Sequence, residues 1–150
     1  MPRIFNTSWL AVILATLIFY MIGFVWYGFI FEAQWLEAAN MTPEQADASM
    51  KEKGFVSILG FGLLITLAQA LGLLWIINHA GAKRIGSCLS IAFWAFLMIG
   101  GPLLAYACLY GDYSLQGILI DYGHILLGWL AMATIYALFR GKENIAANEN

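Results

Sequence analysis

Four apolar stretches, each of membrane-crossing length, alternate with polar segments along the chain. They are residues 9–31, 55–77, 88–110 and 118–139. A transmembrane helix needs about 20 consecutive apolar residues, and all four reach that length. The pattern predicts an all-α fold, an integral membrane four-helix bundle with up-down-up-down topology. We predict a single domain over residues 1–142 and a polar, flexible tail over residues 143–150.

The longest polar segment contains a helical signal of its own. Thr42 and Gln45 have the spacing of a capping box, and proline occupies the first helical position between them. Acidic side chains come early in this stretch and lysines late, as the helix dipole favours, and Gly54 can end the helix. We therefore predict a short helix over residues 43–53 within an outer loop over residues 32–54.

Composition supports a membrane environment. Of 150 residues, 62% are hydrophobic and 11% charged, and the mean hydropathy is +0.78. A soluble domain of this size is far less apolar. The net charge of -2 and the lack of a long Lys or Arg run argue against nucleic acid as a partner and against a polybasic lipid-binding patch. The expected partner is the lipid bilayer.

The basic residues predict an orientation. Five of the seven fall in the amino-terminal segment, the second connection and the tail: Arg3, Lys83, Arg84, Arg140 and Lys142. The other two, Lys51 and Lys53, lie in the outer loop beside five acidic residues. Cytoplasmic segments carry the excess of basic residues, so we predict both termini in the cytoplasm.

The last apolar stretch carries an acid and an imidazole. Asp121 and His124 lie three residues apart, which places them on one face of a helix. An ionisable group at the membrane centre costs roughly 2.5 to 3.5 kcal/mol on insertion scales, so its presence needs a reason. One interpretation is a structural pair, either charge-neutralised or bonded to tyrosine. The other is a relay for protons or substrate, because histidine titrates near neutral pH.

Other polar and aromatic groups fall at a similar depth. Counting about 1.5 Å per residue from the middle of each stretch places Trp26, Tyr27 and Tyr106 in the outer half of the membrane. Asp121 and His124 lie at about the same height. We predict that these five side chains form an outer polar and aromatic cluster, the candidate polar or transport site.

Small residues predict where the helices approach one another. Residues of this kind recur at four-residue spacing in the second stretch, where they allow close helix packing. Glycine and proline in the middle of the third stretch predict a bend. The predicted helix-packing residues are Gly62, Thr66, Ala70, Gly100, Gly101 and Pro102.

No pattern in the sequence indicates an enzyme, a metal or a cofactor. The sequence has no metal-ligand spacing, phosphate-binding glycine loop or nucleophile elbow. Cys88 and Cys108 are about 30 Å apart on a helix, too far for a disulfide. His79 and His124 differ in depth by about 25 Å and so cannot ligate one haem iron. We predict no enzymatic activity, no metal and no cofactor.

Three segments carry a resemblance to a known family. They are Ser8-Trp9-Leu10-Ala11-Val12, Gly23-Phe24-Val25-Trp26-Tyr27 with Trp35, and Leu119-Ile120-Asp121-Tyr122-Gly123-His124. Over residues 9–140 the chain resembles the bacterial four-span membrane family known as domain of unknown function 1761. Relatives usually have Ser-Pro where this chain has Gly28-Phe29. The family pattern also has a tyrosine between the glycine and the histidine, whereas His124 of this chain directly follows Gly123. The resemblance implies a four-helix protein of the bacterial inner membrane and implies no activity.

Two classes of function follow from these observations. The first is a non-enzymatic structural or accessory subunit that forms a homo-oligomer or docks to a larger membrane complex. Its support is the shortage of buried charge and the lack of motifs. The second is a small transporter or channel whose outer cavity uses Asp121 and His124. Its support is the depth of this pair and the bend predicted in the third stretch.

Overall fold

The computed structural model describes residues 3–5, 7–111 and 113–148, without the side chains of residues 3, 107, 108 and 141–148. The Cys108 side chain and the tail residues 149 and 150 therefore lie outside the described part. The chain starts with two short antiparallel strands, β1 (Arg3–Ile4) and β2 (Thr7–Ser8). The helices are α1 (Trp9–Val25), α2 (Glu32–Ala38), α3 (Pro43–Lys53), α4 (Phe55–His79), α5 (Ile85–Ala95), α6 (Gly101–Tyr110) and α7 (Leu115–Asn148).

Two π-helical segments continue neighbouring helices. Trp26–Ile30 extends α1, and Phe96–Gly100 joins α5 to α6. With these segments included, four helices are long and apolar enough to cross a membrane. They are Trp9–Ile30, Phe55–His79, Ile85–Tyr106 and Leu115–Arg140. The predicted all-α, four-span fold is confirmed.

Local sequence explains several helix ends. The Ser8 hydroxyl caps α1 by accepting a hydrogen bond from the Leu10 N–H at 3.2 Å. At the start of α3, the Gln45 N–H donates to the Thr42 hydroxyl at 3.3 Å, and the Thr42 N–H donates to Gln45 Oε1 at 2.8 Å. This is the reciprocal capping box expected from the sequence. Gly54, with φ of +79°, ends α3 in a conformation that favours glycine.

The last helix is longer than the sequence prediction. α7 runs to Asn148, so residues 143–148 continue the helix where a flexible tail was predicted. This stretch contains glutamate and two alanines, which are good helix formers. The polarity of the stretch ends the membrane span, but it does not end the helix.

The central element of the bundle is α7. It packs against α1, α2, α4, α5 and α6. By contrast, α4 packs on α1 and α5 but hardly meets α6. We call the end of the bundle with the α4–α5 turn the turn end, and the end with α2 and α3 the loop end.

The apolar core lies toward the turn end. Its largest fully buried side chains include Tyr136, Leu74 and Met132. The Tyr136 hydroxyl donates to the Ala70 carbonyl oxygen at 2.8 Å, which satisfies its polar atom where water is absent. This contact joins α7 to α4.

The small residues predicted for α4 lie at helix contacts. Thr66 and Ala70 are buried. A Cβ added at Gly62 would lie 3.3 Å from the ring of Tyr20, whose hydroxyl donates to the Leu59 carbonyl oxygen at 3.1 Å. α1 therefore packs closely on the small-residue face of α4.

Arg140 fixes the turn between α4 and α5. Its guanidinium donates to the Ala82 carbonyl oxygen at 2.6 Å and also to the Asn78 side-chain oxygen. The Cys88 thiol donates to the same Ala82 oxygen at 3.9 Å. Gly81, with φ of +65°, allows the chain to reverse direction here. The last helix thus holds a connection that lies far from it in sequence.

The third span contains a π-helical segment where a bend was predicted. Phe96–Gly100 comes directly before Gly101 and Pro102, and proline cannot donate the backbone hydrogen bond of a regular helix. Short π-helical segments accommodate such a change inside a helix. The Tyr122 hydroxyl of α7 donates to the Gly101 carbonyl oxygen at 2.6 Å, so the start of α6 is bonded to the central helix.

Candidate functional site

Asp121 lies near the start of α7 and is half-buried. Its two carboxylate oxygens each accept one hydrogen bond from a tyrosine hydroxyl. Tyr27 donates to Oδ1 at 2.7 Å, and Tyr113 donates to Oδ2 at 2.8 Å. Among the described side chains, no cation pairs with this carboxylate. Two tyrosines from different parts of the chain therefore satisfy an acid that lies within a membrane span.

His124 joins the same network through Tyr27. Its Nδ1 lies 3.3 Å from the Tyr27 hydroxyl oxygen. The single phenol proton already goes to Asp121, so Nδ1 is the donor in this contact. In a neutral imidazole, Nε2 is then an acceptor, and it is buried without a hydrogen-bond partner in the described structure. Of the two structural interpretations, the pair is the tyrosine-bonded one.

Glycines make room for the rings of this site. A Cβ added at Gly23 would lie 2.9 Å from His124 Nε2, and one added at Gly123 would lie 2.8 Å from the Trp26 ring. Both contacts are closer than real Cβ atoms allow. The Trp26 indole N–H donates to the Ile120 carbonyl oxygen at 3.0 Å. Each of α1 and α7 thus places a ring over a glycine of the other helix.

A third ring-on-glycine contact closes the site toward the turn end. A Cβ added at Gly128 would lie 2.1 Å from the ring of Phe19, which is 2% exposed. The Phe19 ring centre is 4.9 Å from that of His124. The next residue, Trp129, donates its indole N–H to Gln69 Oε1 at 2.8 Å. On the turn-end side of His124, aromatic rings therefore fill the interior of the bundle.

The loop end of the site is covered by α2 and by the connection before α7. The Trp35 ring packs edge-on against Tyr27, with ring centres 5.8 Å apart. Burial, reinforced by the hydrogen bond to the Asp121 carboxylate, raises the pKa of Tyr113 above its ordinary value. The Tyr113 phenol therefore remains a proton donor at neutral pH.

Tyr106 lies apart from the other four predicted site residues. It is 57% exposed, and its ring stacks on Tyr110 with centres 5.7 Å apart. Within the described part of the chain it has no hydrogen bond or ring contact with Asp121 or His124. Depth gives the height of a residue in the membrane but not the direction of its side chain around the helix axis. The Tyr106 side chain points away from Asp121 and His124.

Tyr113 and Trp35 belong to the site, although neither is among the predicted site residues. A signal for Tyr113 was present: it precedes Asp121 by eight residues, about two helical turns. Trp35 has no comparable signal, because the path of α2 over α7 is not readable from spacing.

The side chains of this site can form hydrogen bonds and exchange protons. Tyr113, Asp121, Tyr27 and His124 form one continuous hydrogen-bonded chain. The described residues contain no group of three or more His, Cys, Asp or Glu side chains able to hold a metal ion.

Four membrane-length apolar helices around an internal hydrogen-bonded network define an all-helical multi-pass membrane protein. A family model described as Protein of unknown function (DUF1761) matches residues 10–137. The chain belongs to this family, so the resemblance seen in the sequence is confirmed. No curated protein and no solved structure matches the chain. Its function therefore has to be inferred from its own residues.

Proposed function

We propose that this protein is a non-enzymatic structural or accessory subunit of the bacterial inner membrane that works as a homo-oligomer. Docking to a larger membrane complex is the other form of the same role. The four spans run up-down-up-down with both termini in the cytoplasm. Basic Lys83 and Arg84 lie at the turn end, whereas the lysines of α3 share the loop end with acidic residues, which supports this orientation.

The internal polar groups support a structural role. Asp121, Tyr27 and Tyr113 satisfy one another, and Trp129 and Tyr136 donate to partners on α4. In a bilayer, such bonds stabilise helix contacts because no water competes for them. These groups tie α1, α4 and α7 together.

The observation that carries the proposal is an open apolar surface at the loop end. α4 and α6 hardly contact each other, and both expose large side chains there. These are Phe55, Phe61, Leu64 and Ile65 on α4, and Leu103, Leu109 and Tyr110 on α6. A second copy that places a helix between α4 and α6 would gain van der Waals contacts along both.

Cysteine cross-linking in the membrane tests this proposal. In a chain with Cys108 replaced by alanine, Leu64→Cys is expected to give a covalent dimer on mild oxidation, because this α4 residue would face the second copy. The dimer is measured by non-reducing electrophoresis of native membranes. The matched control is Phe24→Cys on α1, since Phe24 is 58% and Leu64 is 61% exposed.

The control separates specific association from random collision. Phe24→Cys is expected to remain monomeric at the same expression level. Equal cross-linking of both variants, or of neither, would contradict self-association through the open surface.

A second function has one specific observation in its favour. The hydrogen-bonded chain runs from Tyr113, between the spans, through Asp121 and Tyr27 to His124. It ends at a buried Nε2 that has no partner in the described structure. Such a chain can take up a proton at Nε2 and pass one from Nδ1 through the Tyr27 hydroxyl to the Asp121 carboxylate, as a small proton-coupled transporter would require.

Proton flux into proteoliposomes distinguishes the two functions. If the chain carries protons, flux is expected to fall by roughly tenfold or more in Asp121→Asn, Tyr27→Phe and His124→Ala, because each interrupts the relay. Tyr106→Phe, outside the network, should keep native flux. Size-exclusion chromatography checks that each variant is folded. A native chain without flux would leave the structural role as the better account.

A further inference from the structure

We propose that a groove at the turn end binds the phosphate group of an anionic phospholipid. The groove has a volume of about 690 Å³ and lies where α4 turns into α5. Lys83, Arg84, Ser87 and Ser90 line it. Two cations and two hydroxyls on one concave surface are groups that bind a phosphate oxygen by charge-assisted and neutral hydrogen bonds.

The cations of the groove are available for a ligand. Lys83 and Arg84 are exposed, and neither makes an ion pair or a side-chain hydrogen bond within the described part of the chain. Arg140, at the same end, differs because its guanidinium is bonded to Ala82 and Asn78. The structure thus uses Arg140 to hold the turn and leaves Lys83 and Arg84 exposed.

The floor of the groove is already rigid. Ala82 is 6% exposed, and its carbonyl oxygen accepts hydrogen bonds from Arg140 and Cys88. Its N–H donates to the Ile77 carbonyl oxygen at 3.2 Å. Because Ala82 directly precedes the two cations, these bonds fix the backbone that carries them. Binding would then require ordering of side chains only.

The height of the groove matches a phospholipid headgroup. The third span begins at Ile85, so the two cations lie just outside it, and exposed Ser87 and Ser90 lie in its first two turns. Ser90 is about 7 Å inside the start of the span at 1.5 Å per residue. A hydroxyl exposed there would face acyl chains unless a headgroup reaches it. The rings of Trp75 and His79, whose centres are 4.1 Å apart, mark the same membrane interface.

The ligand is therefore a lipid phosphate rather than a soluble anion. A phospholipid presents its phosphate at this height while its acyl chains remain beside the apolar start of α5. The sequence contains no long run of basic residues. The structure instead combines two cations with two serines on a fixed turn.

Native mass spectrometry of the full chain in detergent tests the proposal, with phosphatidylglycerol and phosphatidylcholine as probes. The native chain is expected to bind phosphatidylglycerol roughly tenfold more tightly than phosphatidylcholine. Lys83→Gln/Arg84→Gln should remove that preference. Ser87→Ala/Ser90→Ala should weaken phosphatidylglycerol binding by roughly threefold, because two neutral hydrogen bonds are lost.

Lys51→Gln/Lys53→Gln is the matched control, since it removes the same charge from α3 at the other end. It should keep the native preference. Loss of the preference in this control, or its survival in the Lys83→Gln/Arg84→Gln chain, would overturn the proposal. Inorganic phosphate added at matched ionic strength distinguishes the anion source. Bound phosphatidylglycerol should resist it, and displacement by millimolar phosphate would reassign the groove to soluble phosphate and refute the lipid.

Discussion

Gly128→Ala is expected to lower the free energy of unfolding by about 3 kcal/mol, the upper part of the range for overpacked cores. The new Cβ would lie 2.1 Å from the Phe19 ring, and it would meet the base of the ring as well as its edge. Phe19 is buried and cannot swing away, so α1 and α7 would have to separate. The measurement is unfolding in mixed micelles with increasing SDS, followed by tryptophan fluorescence.

Two further variants make this result interpretable. Gly72→Ala on α4 is the matched control, because an added Cβ there meets nothing within 4 Å. It should be neutral or slightly stabilising, since alanine favours the helix. Phe19→Leu combined with Gly128→Ala should recover part of the loss, because the smaller side chain leaves space. Equal stability of Gly72→Ala and Gly128→Ala would refute the ring-on-glycine packing.

Asp121→Ala is expected to lower the free energy of unfolding by about 2 kcal/mol, since two hydrogen bonds within the bilayer are lost at roughly 1 kcal/mol each. The Tyr27 and Tyr113 hydroxyls would then be left without their acceptor. Asp121→Asn keeps the shape and one carbonyl oxygen, so about half of the loss is expected. The same SDS titration measures both.

Tyr106→Phe is the control for this series. It removes a hydroxyl from an exposed ring whose only ring contact in the described structure is with Tyr110, so its unfolding curve should match that of the native chain. The free energy of unfolding of Tyr113→Phe should lie between that of Tyr106→Phe and that of Asp121→Ala. A fully stable Asp121→Ala chain would show that the carboxylate does not hold the helices together and would favour a role in proton movement.

Much of the fold was predictable because the signals are local or periodic. The apolar stretches have membrane length, and the capping box at Thr42 and Gln45 defines the start of α3. The π-helical segment Trp26–Ile30 was not predictable, because nothing in its composition distinguishes it from an ordinary helical turn. The extension of α7 to Asn148 was missed because polarity was equated with disorder.

The site was predictable in part. Asp121 and His124 stand out as ionisable groups in an apolar stretch. Their estimated depth in the membrane matches that of Tyr27 and Trp26, which predicted the cluster. Depth says nothing about direction around a helix, so Tyr106 was included on height alone. The glycines that receive the rings were missed for a related reason. Spacing within one helix cannot show which side chain of another helix occupies the space beside them.

The position of α7 sets the order in which this protein can assemble. Chains are synthesised from the amino terminus, and individual spans insert before they pack side by side. The helix that contacts all the other spans is here the last of the four to leave the ribosome. Until it arrives, Phe19 has no glycine to cover, Tyr27 has no carboxylate, and the α4–α5 turn lacks Arg140. The first three spans can therefore pack only in part, α1 against α4, and the interior of the bundle is completed when α7 inserts.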